Sequence, residues 1–300
     1  MNRIDIVRAS PMTSIQDAGR PGFLGHGISA SGPMDRQGYA MAGAITEMPC
    51  GAGLELGPLG LDLVHRGAPL VAGLAGGAFA ARLNGEAISW PARVILQDGG
   101  RLSVTGGPAG NYAYLRFAAE IDVPVVLGSR ATNLGVALGG LEGRALAAGD
   151  TLALAPLASG PVEALPPPGT PDDAPFRIVW GLHAAIFPPA IRAGFLTSPF
   201  AISPGMDRMG VRLADPAGVF TAGVALDLVS DAVVPGDIQI IGDGTPVVLM
   251  RDHQPTGGYP RIGTIIASDL DRFAQMRPGA PVRFVPVTVE HAHKIARSAG

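Results

Sequence analysis

The sequence predicts a mainly β protein made of two related modules in tandem, and three observations carry that expectation. First, 43 glycines and 28 prolines punctuate a chain of 300 residues whose apolar runs are short and rich in Val, Ile and Leu. Frequent turn residues between short runs suit strands joined by tight turns. Second, one phrase occurs twice. Ser31-Gly-Pro-Met-Asp35-Arg36-Gln-Gly38 and Ser203-Pro-Gly-Met-Asp207-Arg208-Met-Gly210 share the pattern Ser-x-x-Met-Asp-Arg-x-Gly, and long-range self-similarity points to a duplicated module. Third, the composition breaks once, where seven prolines fall between Pro156 and Pro175. Regular elements do not survive such a density of proline. The reading is therefore a first module over 1–157, a proline-rich linker over 158–175 and a second module over 176–300, each a compact barrel or sandwich.

The elements follow in chain order. Gly67 to Ala81 is the longest apolar stretch; it is too short and too rich in glycine to span a bilayer and reads as buried strand and turn. Arg93–Gln97, Arg101–Thr105, Tyr112–Phe117 and Thr151–Ala155 read as strands of the first module, and Phe176–Trp180 and Pro281–Val287 as strands of the second. Several alternate polar with apolar side chains, the period of a strand covered on one face. Gln97-Asp98-Gly99-Gly100 reads as a hairpin turn between its flanking strands. Short echoes support the duplication: Gly149-Asp-Thr-Leu-Ala matches Gly279-Ala-Pro-Val-Arg, and Gly67-Ala-Pro-Leu-Val matches Gly244-Thr-Pro-Val-Val. Helices are few: 34–45 with Asp35 in its first turn, 268–276 with Ser268 as N-cap and Pro278-Gly279 as its stop, and 289–297.

Composition excludes several classes of function. The net charge is −3, only 16% of residues are charged and no basic block exists, so there is no electrostatic footprint for nucleic acid or an anionic membrane. Cys50 is the only cysteine, which rules out an intrachain disulfide and a cysteine-cluster metal site. His26, His183 and His253 show no metal-ligand spacing. The N-terminus, Met1-Asn-Arg-Ile-Asp-Ile-Val-Arg8, lacks the apolar core of a signal peptide, and a cytoplasmic location is expected. No P-loop, dinucleotide fingerprint, nucleophile elbow or biotinyl-lysine motif occurs, and Lys294 is the only lysine.

Four polar, glycine-rich segments stand out as candidate sites. In the loop Thr13–Gly22, Gln16, Asp17 and Arg20 are candidate substrate-binding residues, as is Arg130 in Gly128–Gly135. Arg20 and Arg130 suit a bidentate grip on a carboxylate or phosphate, or serve as structural arginines of turns. Asp35 and Asp207, in the two copies of the phrase, are candidate catalytic carboxylates or caps of local structure. The last segment, Arg251–Pro260, follows the apolar strand Pro246–Met250. There Asp252 suits a general base or an orienting group for an amine, and Gln254, Thr256 and Tyr259 offer donors and acceptors for an amide or carboxylate. Gly257-Gly258 permits backbone conformations closed to other residues. A hairpin loop stapled by its own Asp and Thr is the alternative.

At these segments the chain resembles the allophanate hydrolase subunit 2 family, also described as biotin-dependent carboxyltransferase domain subfamily 2. The resemblance rests on Thr13-Ser-Ile-Gln-Asp-Ala-Gly-Arg-Pro-Gly-Phe23, Ser31-Gly-Pro-Met-Asp35, Val126-Leu-Gly-Ser-Arg130, Asp207-Arg-Met-Gly210 with Arg212, Ile238-Gln239, and Asp252-x-Gln-x-Thr-Gly-Gly-Tyr-Pro260. It runs in order over nearly the whole chain and implies two cyclophilin-like β-barrel modules. It implies a component of a 5-oxoprolinase, in the place of the C subunit, working with a subunit 1-type partner (the B subunit) and the A subunit. The implied reaction is 5-oxo-L-proline + ATP + water to L-glutamate + ADP + phosphate, with ATP bound in a site shared with a partner. Two alternatives stand beside it: a carboxyltransferase component moving CO2 from carboxybiotin to a urea-like amide, with biotin as its cofactor, and a non-catalytic binding or regulatory subunit. The chain departs from the family pattern at Gly43, Ala78, Ala185, Met206 and Val211, among others, where the family tends to carry polar groups or a tyrosine.

Overall fold

Strand formation dominates, as expected, and the strands of the described residues collect into two large sheets and one two-stranded ribbon. The computed structural model describes residues 2–47, 50–156, 173–221 and 228–297. The chain divides into two units, one comprising Met1–Pro21 with Ala30–Pro166 and the other Gly22–Ser29 with Pro167–Gly300. Of the expected linker 158–175, all but 173–175 lies outside the described residues.

The first unit holds β1 (Asn2–Ala9), β2 (Ser14–Gln16), α1 (Arg36–Ile45), β3 (Gly53–Leu56), β4 (Leu61–Arg66), β5 (Leu70–Leu83), β6 (Glu86–Ile88), β7 (Ala92–Leu96), β8 (Arg101–Phe117), β9 (Glu120–Ile121) and β10 (Thr151–Ala155). Its sheet has ten strands, all paired antiparallel. The 17-residue β8 organises it. One edge of β8 pairs with β5 along most of its length, while the other takes β4 at Arg101–Val104 and β3 at Ala113–Arg116. Two partners diverging from one edge curl the sheet around a core that includes Ile4, Leu54, Leu63, Leu74, Leu102 and Leu115. The two runs 101–105 and 112–117 are thus one strand. The turn at 97–100 is tight, with Gly99 at φ +74 and Gly100 N–H donating to Gln97 O at 2.9 Å. It is not a hairpin: β7 pairs with β5 and not with β8, because the long β5 outcompetes the local partner for both strands.

Helix α1 lies directly on β5, and missing side chains permit it. A Cβ on Gly38 would stand 2.7 Å from Gly76 Cα, and one on Gly73 would stand 2.2 Å from Ala42 O. Substitution at either position would push helix and strand apart.

The second unit holds β11 (Phe176–Trp180), α2 (Pro189–Thr197), β12 (Phe200–Met206), β13 (Gly210–Ala214), β14 (Asp231–Ala232), β15 (Asp237–Ile240), β16 (Pro246–Leu249), β17 (Thr256–Gly257), β18 (Arg261–Ile265), α3 (Ala267–Ala274), β19 (Pro281–Val282), β20 (Phe284–Pro286) and α4 (Val289–Arg297). Eight strands form one sheet in the order β19-β12-β13-β16-β15-β18-β11-β20, and β14 pairs with β17 as a separate ribbon. The expected strand 281–287 splits: β19 joins β12 antiparallel and β20 joins β11 parallel, so one segment serves two places in the sheet.

Two helix expectations are corrected. Ser268 is not the N-cap of α3; that position falls to Ile266, and Ser268 lies in the first turn. Helix α2 is absent from the sequence reading, and it starts at two consecutive prolines, Pro188 and Pro189. They occupy its N-cap and first turn, where proline's fixed φ and missing N–H do no harm. The helix delivers Phe195, fully buried, into an aromatic cluster with Phe284 (ring centroids 4.7 Å apart), Phe200 (5.7 Å) and Phe220 (6.1 Å). Truncating so central a ring leaves a cavity the cluster cannot refill. Phe195→Ala is expected to cost about 3–5 kcal/mol, read as a lower urea midpoint of the second unit's transition.

Candidate functional site

In the first unit the structure brings Gln16, Asp17, Arg20 and Arg130 together, and their side chains bond to backbone and to neighbouring side chains. Gln16 ends β2 and is fully buried; Nε2 donates to Ser14 Oγ (2.9 Å) and Thr132 O (3.0 Å), and Oε1 accepts from Gly32 N–H (3.1 Å). Asp17 accepts from Gly19 N–H, from Ser129 Oγ at 2.5 Å and from Arg130 N–H at 2.5 Å. Arg20, 1% exposed, donates to the carbonyls of Val126 and Ala131. The Arg130 side chain donates to Val123 O and pairs with Glu120 at 3.3 Å. These groups clasp the segment after β2 to residues 123–132.

Asp35 is the N-cap of α1, its Oδ1 accepting from Gly38 N–H at 2.9 Å, while its own N–H donates to Tyr114 Oη at 2.7 Å. Tyr114 in turn donates to Glu55 at 2.9 Å, and Glu55 also accepts from Met34 N–H at 2.7 Å. Full burial, followed by the charges of Glu55 and Asp35, holds the Tyr114 phenol well above its usual range, so it stays protonated and donating. Nearby, Gly43 makes room for the buried Arg116 guanidinium: a Cβ there would stand 2.4 Å from Nη1.

The second copy of the phrase runs from the end of β12 through the turn 207–209 into β13. Asp207 Oδ1 accepts from Met209 N–H (2.7 Å) and Gly210 N–H (3.0 Å). The next residue, Arg208, makes a two-pronged ion pair with Asp252 (2.8 and 3.1 Å), each side chain 3% exposed. Asp252 is therefore engaged by a guanidinium, and Asp207 by its own turn. Thr256 is exposed on β17, opposite Ala232. Neither Gly257 nor Gly258 has a positive φ. Gly257 serves a close approach instead, since a Cβ there would lie 2.3 Å from Gln239 Nε2.

A cavity of about 620 Å³ opens beside this turn. It is lined by Asp207, Gln254 and Tyr259 from the expected set, and by Arg212 and Gln239, which sequence reasoning did not single out as site residues. Gln239 left a trace in the sequence: a glutamine inside Asp237-Ile-Gln-Ile240, a strand buried at every position. Met206, one of the departures from the family pattern, also lines the cavity, whereas Val211 is fully buried in the sheet. Among the described residues no group of three or more His, Cys, Asp or Glu is placed to hold a metal, and no helix is long and apolar enough to cross a membrane.

A family profile described as carboxyltransferase domain, subdomain A and B, matches residues 26–286. The chain belongs to this family. It is 33% identical over 302 residues to the C subunit of the 5-oxoprolinase of Escherichia coli (strain K12), covering 97% of this chain and 93% of that protein. It is 29% identical over 300 residues to the corresponding 5-oxoprolinase C subunit of Haemophilus influenzae, with 98% and 94% covered. The crystal structure of the K. lactis urea amidolyase superposes with a TM-score of 0.85 at 27% identity, covering 97% of this chain and 19% of that one. In this carboxyltransferase-domain chain the residues of the repeated phrase thus stand at a helix cap in one unit and beside a cavity in the other.

Two outcomes follow from this geometry. Removing one partner of a buried ion pair strands the other, so Asp252→Ala is expected to destabilise the second unit by about 3–5 kcal/mol, measured by urea unfolding. His253, next in sequence, is 3% exposed with Nδ1 2.6 Å from Gln254 O. Burial holds its imidazole below the ordinary value of 6.5, against the opposite pull of the Gln254 carbonyl, Asp237 and Asp252. As pH falls the unfolded chain takes up this proton first, so stability present above 6.5 is lost as pH drops from 6.5 through the lower native value. Urea midpoints across that range should decline less for His253→Gln than for the parent chain.

Proposed function

We propose that this chain is a component of a 5-oxoprolinase complex, in the place of its C subunit, and contributes to the ATP-dependent opening of 5-oxo-L-proline to L-glutamate. The observation that carries this reading is the extent of the likeness: 33% identity over 97% of this chain and 93% of the E. coli protein. Against the urea amidolyase structure, this chain corresponds to 19% of a much longer protein. Opening a lactam requires hydrogen-bond donors aimed at the carbonyl oxygen, where charge develops, and a proton source for the departing nitrogen. The second-unit cavity supplies carboxamides, a guanidinium, a phenol and a carboxylate, which suits a small polar amide.

The same cavity does not fit ATP. Its lining has one cation, Arg212, and one anion, Asp207, whereas a triphosphate calls for converging cations or a cradle of backbone N–H groups. We therefore place ATP outside this cavity, in a site shared with a partner subunit. Reconstitution tests the reading. With the A and B subunits, 5-oxo-L-proline and ATP, glutamate release should require this chain as well as each partner when they are omitted in turn. No glutamate from three folded subunits would sink the proposal and turn attention to a urea-like amide with carboxybiotin.

A further inference from the structure

Gln239, which lines the cavity beside the β12–β13 turn, carries a donor that no described residue answers. Gln239 is 2% exposed, and its orientation is set on one side: Oε1 accepts from Gln254 Nε2 at 3.2 Å. Its Nε2 is buried and has no hydrogen-bond partner among the described residues. Buried amide donors are nearly always met by a protein group, a water or a ligand. Gly257 packs so closely on this amide that a Cβ would stand 2.3 Å from Nε2, so the loop after Asp252 is shaped around it.

The rest of the lining has complementary chemistry. Arg212 projects from the solvent side of β13, between the inward Val211 and Leu213; its charge makes a minor contribution to holding the Asp243 carboxyl below its ordinary value, and no hydrogen bond or ion pair within 4 Å joins it to a described residue. Met206, Val247 and Leu249 provide an apolar wall. A lone guanidinium suits a carboxylate, a carboxamide with a spare N–H suits a carbonyl oxygen, and an apolar wall suits the methylenes between them.

We propose that this cavity is a binding site contained within the second unit and selective for a small amide that carries a carboxylate, Gln239 reading the amide and Arg212 the carboxylate. The site itself stands on geometry alone; naming 5-oxo-L-proline as its occupant rests on the function proposed above. Gln254 is a positioning residue, holding the Gln239 carboxamide so that its N–H side turns away from the shared hydrogen bond.

The test is calorimetric titration of the full chain, without partners, using three probes: 5-oxo-L-proline, 2-pyrrolidinone, which lacks the carboxylate, and cyclopentanecarboxylate, which lacks the amide. 5-Oxo-L-proline should bind, and each truncated probe should bind at least about tenfold more weakly, the scale of one lost charge-assisted or buried hydrogen bond. Arg212→Ala, at an exposed position, should lose the preference for the carboxylate while leaving 2-pyrrolidinone unchanged. Gly257→Ala, which alters no polar group, should weaken every amide probe by displacing Gln239; it stands in if Gln239→Leu does not fold. Absence of binding by all three probes, or 5-oxo-L-proline binding indifferent to both Arg212→Ala and Gly257→Ala, would overturn the site. The failures are separable. A reconstituted complex that releases glutamate with an unchanged KM in Arg212→Ala and Gly257→Ala refutes this site and keeps the proposed function. Binding that matches the predicted pattern in a complex without hydrolysis keeps the site and refutes the function.

Discussion

A backbone N–H that leaves a sheet must find an acceptor, and in this protein carboxylates supply it. Glu55 takes Met34 N–H, Asp17 takes those of Gly19 and Arg130, Glu120 takes that of Ala52, Asp237 that of Val234 and Asp269 that of Arg177. An amide buried without a partner costs about 1–3 kcal/mol, so a β-rich chain with many tight turns needs many such acceptors. Only 16% of the residues are charged, and most of the buried acids are committed in this way. The loops stay in place because their amides are answered.

That commitment decides where chemistry has room. In the first unit the side chains of Gln16, Asp17, Arg20 and Arg130 bond to backbone groups and to neighbouring side chains. The Glu55–Tyr114–Asp35 chain does the same at the start of α1, and the phenol is held protonated by burial and by the two carboxylates. In the second unit Arg208 and Asp252 neutralise each other beneath the loop. A different set faces the cavity beside them, with Gln239 fixed on one side only. Rigid, satisfied neighbours around a group with spare bonding capacity are the physical conditions for a preorganised site.

Much of the fold was legible because it is local. Thr151–Ala155, Phe176–Trp180 and Val289–Arg297 form the elements their patterns predict, with the same bounds. The short echoes are real turns: Gly67, Gly149, Gly244 and Gly279 all have positive φ and each leads into a strand. Pairing was not legible. The turn at 97–100 has hairpin chemistry, yet its strands take β5 as partner, and 281–287 divides between two neighbours. The site was legible in part, since Asp207, Gln254 and Tyr259 line the cavity while Arg212 and Gln239 belong to strands whose patterns look structural.

The repeated phrase separates the two kinds of information. In both copies the aspartate accepts a hydrogen bond from the glycine N–H three residues on, Asp35 from Gly38 and Asp207 from Gly210. That cap is a short-range property of Asp-x-x-Gly, and the sequence alone determines it. The chain beyond the cap differs between the copies. After Gly38 it continues as helix α1, seated on β5 through the missing side chains of Gly38 and Gly73. After Gly210 it continues as β13, paired with β12 and β16. Only the tertiary structure made that choice, because a capped turn is compatible with helix or strand and the surface waiting beyond it decides which one buries its apolar face.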